Sequence, residues 1–346
     1  MFVTVLKIVS VVMAIVGLTF SIPITAAVSC SEWTVIPAFA VPLLASMAFA
    51  AVILPLTWKR GRSLSIRGSF AVVALAWISV SLMGAIPLYC SGAVPSVAGA
   101  VFESVSGFTT TGATNIADIE ALPRSINLWR CQTHWLGGMG IVALTVALMP
   151  ILGVGGFQLI KAETTGPDKG KFTPKITTTA KVLWFIYLGM TLLHVLLLLL
   201  AGMDLIDALC HAFSSMGTGG FSSRAASIAA YDSPAIDCIC GVFMFLSGIN
   251  FTLFFYLFTG RLSQIRKDTE LKVYTAIVLL TSLAITLIEQ AGFGSFWTSC
   301  RYAFFQVISV ISTTGYGTWD YTSWHPASQL LIFLLFLIGG CAGSTA

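Results

Sequence analysis

The sequence predicts an all-α membrane protein in which helix–pore loop–helix repeats follow an N-terminal helical hairpin. Of the 346 residues, 57% are hydrophobic and only 9% are charged, whereas a soluble domain carries about 25% charged residues. This composition excludes a water-soluble or disordered chain, a disulfide scaffold and a nucleic-acid-binding protein. The apolar runs are continuous rather than alternating, which favours spanning helices over barrel strands.

Eight apolar windows are long enough to cross a bilayer, for which a helix needs about 20 residues. The first window follows Lys7 and could be taken for a signal peptide. It is longer than the roughly 7–15 apolar residues of a signal sequence, which favours a retained helix. The predicted spans are residues 8–29, 33–58, 68–87, 135–160, 182–203, 238–260, 273–288 and 321–346.

The charged residues predict the orientation of these spans. Lys7 and the segments 59–67, 161–181 and 261–272 hold 14 of the 18 basic residues and four acidic residues, a net charge of +10. The opposite side holds four basic and ten acidic residues, a net charge of −6. Because positively charged loops stay in the cytoplasm, the N-terminus is predicted to be cytoplasmic. The overall charge of +4 is therefore a topology signal.

Three stretches between the spans are too apolar for ordinary loops: residues 94–115, 204–223 and 296–318. Non-helical backbone at membrane depth is tolerated only where it is buried in protein or lines a water-filled path. Each stretch is therefore predicted to enter the membrane and return without crossing it. The three align without gaps, and the alignment matches Ser106, Ser214 and Ser309, then Thr110, Thr218 and Thr313, then Gly112, Gly220 and Gly315.

These stretches carry the chemistry of a pore for a monovalent cation. A short helix that ends before the turn points its C-terminal carbonyls, the negative end of its dipole, into the membrane. Glycine permits positive φ, so successive carbonyls can face one axis, and rings of carbonyl oxygens replace the hydration shell of potassium. The turns contain hydroxyl groups but no carboxylate, which argues against calcium.

The same residues allow other interpretations. Small and hydroxyl-bearing residues also form close-packed helix interfaces, although three gapless copies favour the pore. A membrane-embedded lipid-modifying enzyme would need Ser and His, or paired Asp, converging inside the spans, and the spans contain no Asp pair. A third alternative is a non-conducting structural membrane subunit.

Several polar features are interpreted as structural. The four histidines and eight cysteines show no metal-ligand spacing, so no transition-metal site is expected. The lysine-rich segment 166–171 is interpreted as a cytoplasmic loop that could dock a partner. Glu103 is expected at the start of a pore helix, where a carboxylate complements the dipole, and Arg130 is expected to pair with an external acid or to extend toward the interface.

The motifs closely resemble those of the Trk/Ktr/HKT potassium transporter superfamily. They are Thr109-Thr-Thr-Gly-Ala-Thr114, Thr218-Gly-Gly-Phe-Ser222, Thr313-Thr-Gly-Tyr316 and Gly339-Gly-Cys-Ala-Gly-Ser-Thr345. The resemblance covers essentially the whole chain, and the extra N-terminal hairpin is typical of the bacterial TrkH/TrkG branch. It implies a multi-pass protein of the bacterial inner membrane, not an enzyme, that takes up potassium through four repeats with pseudo-fourfold symmetry.

The resemblance also implies the roles of individual residues. A selectivity filter is expected at Thr110, Thr111, Gly112, Thr218, Gly219, Gly220, Thr313, Thr314 and Gly315, which would hold potassium. An intramembrane gating loop is expected at Gly339, Gly340, Ala342, Gly343 and Ser344. The expected partners are a TrkA-like cytosolic nucleotide-binding regulatory subunit, a second copy of the chain and membrane lipids, with no cofactor and no nucleic acid. Channel-like flux and symport with protons or sodium both remain open.

The organisation predicted from these motifs is a hairpin followed by three repeats. Its boundaries are 1–67 for the hairpin, 68–160 for repeat 1, 161–270 for repeat 2 with a cytoplasmic loop, and 271–346 for repeat 3. The family supplies a fourth repeat after the glycine-rich motif. The sequence is therefore interpreted as a subunit truncated before its fourth repeat, which alone would not restore potassium uptake.

Overall fold

The structure, a computed structural model, describes residues 2–57, 66–140 and 176–346. Within these ranges the ordered elements are all helices, with no strand, and the predicted all-α fold of helix–loop–helix repeats is confirmed. The chain divides into two compact units, Met1–Phe185 and Ile186–Ala346. The described α-helices are α1 (Phe2–Thr19), α2 (Ser21–Ser29), α3 (Ile36–Thr57), α4 (Ile66–Cys90), α5 (Val97–Phe108), α6 (Arg124–Gly138), α7 (Ile176–Leu200), α8 (Leu205–Met216), α9 (Pro234–Ser247), α10 (Phe251–Phe258), α11 (Leu262–Lys267), α12 (Thr269–Phe293), α13 (Phe296–Ile311) and α14 (Pro326–Leu335).

Five predicted spans are confirmed as helices long and apolar enough to cross a membrane. They correspond to α1 with α2, α3, α4, α7 and α12. The last of these is longer than predicted, because the helix continues past Glu289 to Phe293. The predicted span 135–160 falls largely outside the described residues, since α6 covers only its beginning.

Two further predicted spans are not continuous helices, because the structure breaks both. The span 238–260 is two helices, α9 and α10, bent by 94°. The bend is favoured by Asn250, whose side chain accepts a hydrogen bond from the amide of Thr252 at 2.9 Å and so begins a new helix. The span 321–346 contains only the ten-residue helix α14, beyond which Gly339 and Gly343 adopt positive φ.

The break between α1 and α2 follows from a proline. Pro23 has no amide hydrogen, so it cannot bond the carbonyl of Thr19 four residues earlier. The side-chain amide of Gln132 in α6 donates to that carbonyl instead, at 2.9 Å. The N-terminal hairpin is thereby joined to the helix that follows the first pore loop.

A buried aromatic cluster joins the hairpin to the first pore helix. The rings of Phe20 and Phe39 lie 4.5 and 6.4 Å from the ring of Trp129, which lies 6.1 Å from Phe108, the last residue of α5. The indole N–H of Trp129 donates to the carbonyl of Gly84 at 3.0 Å. The end of α5 is therefore held by a cluster with residues from α3, α4 and α6 and with Phe20, which lies between α1 and α2.

Trp129→Ala is expected to lower the free energy of unfolding by about 3–5 kcal/mol, because it opens a cavity in this cluster. Trp129→Phe retains most of the packing and loses chiefly the hydrogen bond, which is worth about 1 kcal/mol. Denaturant unfolding in detergent measures both, with Trp33→Ala as the control, since Trp33 is exposed. Equal losses for Trp33→Ala and Trp129→Ala would contradict the assignment.

In the second unit, polar contacts join α13 to its neighbours. The Ser299 hydroxyl in α13 donates to the carbonyl of Thr286 in α12 at 2.9 Å. Arg301, two residues further along α13, donates through Nε to Asp237 of α9 at 2.6 Å. These contacts fix the helix that carries the third pore loop.

Candidate functional site

The short helices α5, α8 and α13 end in three loops with the same backbone conformation. We refer to residues 109–113, 217–221 and 312–316 as loops 1, 2 and 3. In each loop a threonine and then a glycine adopt positive φ: Thr110 (55°) and Gly112 (74°), Thr218 (53°) and Gly220 (79°), Thr313 (60°) and Gly315 (83°). Such a conformation is rare for a β-branched residue and costs about 1–3 kcal/mol. The three predicted filter segments are thus structural equivalents.

A serine in the last turn of each helix fixes this conformation. The carbonyls of Ser106, Ser214 and Ser309 accept hydrogen bonds from Thr111, Gly219 and Thr314 at 2.9, 2.9 and 3.0 Å. The Ser106 hydroxyl donates to the carbonyl of Ala113, and that of Ser309 to the carbonyl of Tyr316, each at 2.6 Å. The three serines that align in the sequence are therefore the residues that hold each loop to the end of its helix.

Loops 2 and 3 lie side by side in the second unit. A Cβ atom added to Gly220 would overlap the carbonyl oxygen of Thr314, well under the 3.0 Å that real Cβ contacts require. The hydroxyl of Tyr316 reaches across to the carbonyls of His211 and Phe221, at 3.3 and 3.2 Å. The structure therefore brings together the predicted filter residues of repeats 2 and 3.

Loop 1, in the first unit, is supported by a buried ion pair. Nε and Nη2 of Arg130 each lie 2.8 Å from Oε1 of Glu103. The same carboxylate accepts hydrogen bonds from the hydroxyl of Thr114 at 2.9 Å and from the amide of Asn115 at 3.1 Å. The segment that leaves loop 1 is thus fixed to its own pore helix.

Of the two alternatives for Arg130, pairing with an acid is confirmed, whereas the expected position of Glu103 is wrong. Arg130 pairs with Glu103 in the interior and does not extend toward the interface. Glu103 lies in the middle of α5, because the Ser96 side chain begins that helix by accepting from the amide of Gly99 at 3.0 Å. The carboxylate therefore complements a buried cation and not the helix dipole.

The predicted gate residues, Gly339, Gly340, Ala342, Gly343 and Ser344, lie against the break between α9 and α10. The amide of Cys341 donates to the carbonyl of Gly248 at 2.9 Å, and the amide of Phe251 donates to the carbonyl of Gly343 at 3.0 Å. The break between α9 and α10 and the glycine-rich segment after α14 therefore satisfy backbone groups of each other.

This C-terminal segment also touches loop 2. The hydroxyl of Thr218, a predicted filter residue, lies 2.8 Å from the carbonyl of Thr345. Three residues before Thr345, the amide of Ala342 donates to Oε1 of Glu270 in α12 at 2.7 Å. The predicted gate and one predicted filter loop are thus in direct contact.

The exposed loop that follows loop 3 carries a permanent negative charge. Hydrogen bonds from the hydroxyl and the amide of Thr322 lower the pKa of Asp320 below its ordinary value. The carboxylate therefore stays ionised at neutral pH and attracts cations to this side of the protein.

Comparisons with known proteins agree with this arrangement. A family model described as "TrkH: Cation transport protein" matches residues 36–346. The "Trk system potassium uptake protein TrkH" of Halomonas elongata is 42% identical over 82% of this chain and 60% of its own length. TrkI of the same organism is 33% identical over 99% of this chain and 69% of its own length.

A solved structure is similar over the whole chain. The crystal structure of the potassium transporter TrkH from Vibrio parahaemolyticus matches with a TM-score of 0.82 and 32% identity, over 100% of this chain and 72% of that one. The chain spans about 60% of the length of the TrkH relatives it matches.

Proposed function

The chain belongs to the TrkH family of cation transport proteins, and on that premise we propose that it takes up potassium across a bacterial inner membrane. The single observation that carries this proposal is the shared conformation of loops 1, 2 and 3, in which a left-handed threonine precedes a left-handed glycine. The family is one of transporters and not of enzymes, which argues against a lipid-modifying activity.

The chemistry of the loops supports potassium as the cargo. Loops 1 to 3 offer carbonyl and hydroxyl oxygens and no carboxylate, the ligand set that replaces the hydration shell of a monovalent cation. The helices α5, α8 and α13 end directly before these loops, so the negative ends of their dipoles adjoin them. Thr110, Thr111, Gly112, Thr218, Gly219, Gly220, Thr313, Thr314 and Gly315 form the proposed selectivity filter.

The protein is proposed to have a fixed orientation in the membrane and a regulatory partner. The basic segments favour a cytoplasmic N-terminus, with Asp320 on the outer side. The relatives are named as proteins of a Trk system, which supports a regulatory partner, and we propose that this partner is a cytosolic TrkA-like subunit and that the chain forms a homodimer in the membrane. Flux by a channel or by symport is compatible with the same loops.

Rubidium uptake tests the proposed function. The protein, expressed in a bacterium that lacks its own potassium uptake systems, is expected to take up rubidium. Excess potassium should compete with rubidium more strongly than sodium does, because the loops supply neutral oxygen ligands. Correctly inserted protein without rubidium uptake would overturn the proposal and favour a non-conducting structural subunit.

We further propose that residues 339–346 gate the pore. This segment is fastened on one side to loop 2, through Thr218, and on the other to α12, through Glu270. Further backbone hydrogen bonds hold the segment to the break between α9 and α10, so the loss of one side-chain contact would release part of the segment while the rest stays bound.

Glu270→Ala is expected to loosen this segment and to raise basal rubidium uptake. A hydrogen bond to a charged group is worth about 1.5–3 kcal/mol, so amide exchange at Ala342 should accelerate by about ten- to a hundredfold. Glu289→Ala is the matched control, since Glu289 accepts the amide of His325 near the other end of α12. Unchanged exchange at Ala342 in Glu270→Ala would refute the release mechanism.

A further inference from the structure

The segment that leaves loop 2 holds the backbone that leaves loop 3. We name residues 222–231 the outer segment. The amide of Ala229 donates to the carbonyl of Gly317 at 3.0 Å, and the hydroxyl of Ser227 accepts from the amide of Gly317 at 3.3 Å. Both backbone polar groups of Gly317, two residues beyond Gly315 of loop 3, are therefore satisfied by repeat 2.

Ser227 makes this contact from a strained conformation. Its φ is +56°, a region that residues with a Cβ enter at a cost of about 1–2 kcal/mol. The amide of Ser227 donates to the carbonyl of Arg224 at 3.0 Å, which closes a turn within the outer segment. Such strain persists only where the surroundings impose it, so the turn must be fixed from outside.

Asp207 in the first turn of α8 fixes both ends of the outer segment. Its carboxylate accepts hydrogen bonds from the hydroxyl of Ser223 at 2.8 Å, from Nη2 of Arg224 at 3.1 Å and from the hydroxyl of Tyr231 at 2.9 Å. The carboxylate is almost fully buried. Removing it would leave the two ends of the segment without their common acceptor.

Repeats 1 and 2 each fasten the exit of their own loop to their own pore helix. In repeat 1, Glu103 binds Thr114. At the aligned positions of repeat 2, Nε2 of His211 lies 2.8 Å from the hydroxyl of Ser222. Because Nδ1 of His211 faces the carbonyl of Asp207 at 2.7 Å and must donate to it, the other nitrogen accepts from Ser222.

Among the described residues, repeat 3 does not make the corresponding side-chain contact between its pore helix and the exit of its loop. The residue aligned with Glu103 and His211 is Gln306, whose Oε1 has no hydrogen-bond partner in the described ranges 2–57, 66–140 and 176–346. The residue aligned with Thr114 and Ser222 is Gly317, which has no side chain. In place of this contact, the outer segment of repeat 2 binds the backbone of Gly317 in repeat 3.

We propose that the outer segment of repeat 2 positions the filter of repeat 3, with Ser227 as the positioning residue at Gly317 and Asp207 as its anchor. The inference rests on the proposed function of loop 3 as part of a potassium filter. It predicts that cation selectivity at loop 3 depends on residues that contribute no ligand to the ion. A displaced Gly317 shifts the carbonyls of loop 3 and so alters the fit to potassium.

Ser227→Ala tests this inference, because it removes the acceptor of the Gly317 amide. The ratio of rubidium to sodium uptake is expected to fall about fivefold, the change that one net hydrogen bond supports. Amide exchange at Gly317 should accelerate by a similar factor. Ser227→Asn should recover most of both, since asparagine tolerates the left-handed conformation and offers a side-chain oxygen.

Ser233→Ala is the control, because Ser233 lies outside the outer segment and faces the amide of Ile236 at the start of α9. It should change neither the uptake ratio nor exchange at Gly317. If Ser227→Ala is not inserted, Tyr231→Phe removes one hydrogen bond to Asp207 and should shift both measurements in the same direction. An unchanged ratio and unchanged exchange at Gly317 in whichever variant inserts would overturn the inference. Absent rubidium uptake by the unmodified protein would overturn the proposed function instead.

Discussion

Gly220→Ala is expected to abolish most rubidium uptake, with a decrease of about two orders of magnitude. The added methyl group would collide with the carbonyl oxygen of Thr314, so loops 2 and 3 could no longer lie side by side. Catalytic sites lose about a hundredfold when a group moves by about 1 Å, and a carbonyl that replaces hydration water is positioned as strictly. Uptake and membrane-inserted protein are measured in the same cells.

Gly202→Ala is the matched control for backbone strain. Gly202 also has positive φ, at +91°, but an added Cβ atom there meets nothing within 4 Å. Both variants therefore carry the strain of alanine in the left-handed region, about 1 kcal/mol or more, and only Gly220→Ala adds the collision. Equal uptake by the two variants would show that contact between loops 2 and 3 is irrelevant to flux.

Arg130→Met is expected to lower the free energy of unfolding by about 3–5 kcal/mol. Removing one partner of a buried ion pair leaves the other charge uncompensated, and Glu103 is fully buried. The double variant Glu103→Gln with Arg130→Met leaves no buried charge, so its loss should be smaller than the sum of the single losses. Thermal unfolding in detergent, run as a double-mutant cycle, gives the coupling free energy.

Asp232→Asn is the control for this pair. Asp232 lies 3.8 Å from Arg301 and is 92% exposed, and exposed ion pairs contribute about 0–1 kcal/mol. Asparagine also tolerates the left-handed backbone of this residue, whose φ is +40°. A loss in Arg130→Met no greater than that in Asp232→Asn would mean that the buried pair does not hold loop 1.

Much of this site could be predicted from the order of residues alone. The glycines of the three loops align without gaps, and their positive φ follows from the absence of a Cβ atom. The positive φ of Thr110, Thr218 and Thr313 could not be predicted, because propensity disfavours it and only the surrounding hydrogen bonds impose it. Strained conformations of this kind are visible only in a structure.

The tertiary partners of the charged groups could not be predicted from the sequence either. Glu103 and Arg130 are 27 residues apart on different helices, and no periodicity relates them. The outer segment did leave one signal: in the alignment of Thr114, Ser222 and Gly317, the third repeat alone lacks a side chain at this position. The break between α9 and α10 was missed because hydropathy averages over a turn that Gly248 and Asn250 create locally.

The contact between the outer segment of repeat 2 and Gly317 of repeat 3 also sets an order of events during synthesis. Ser227 precedes Gly317 by 90 residues, and ribosomes add about 5–20 residues per second. The outer segment is therefore made roughly 5–18 seconds before the backbone that it will hold. Asp207 is made earlier still, so the outer segment and its anchor can already be folded when loop 3 is synthesised. Loop 3 then folds against a segment that is already in place, which reduces the number of conformations that loop 3 must search.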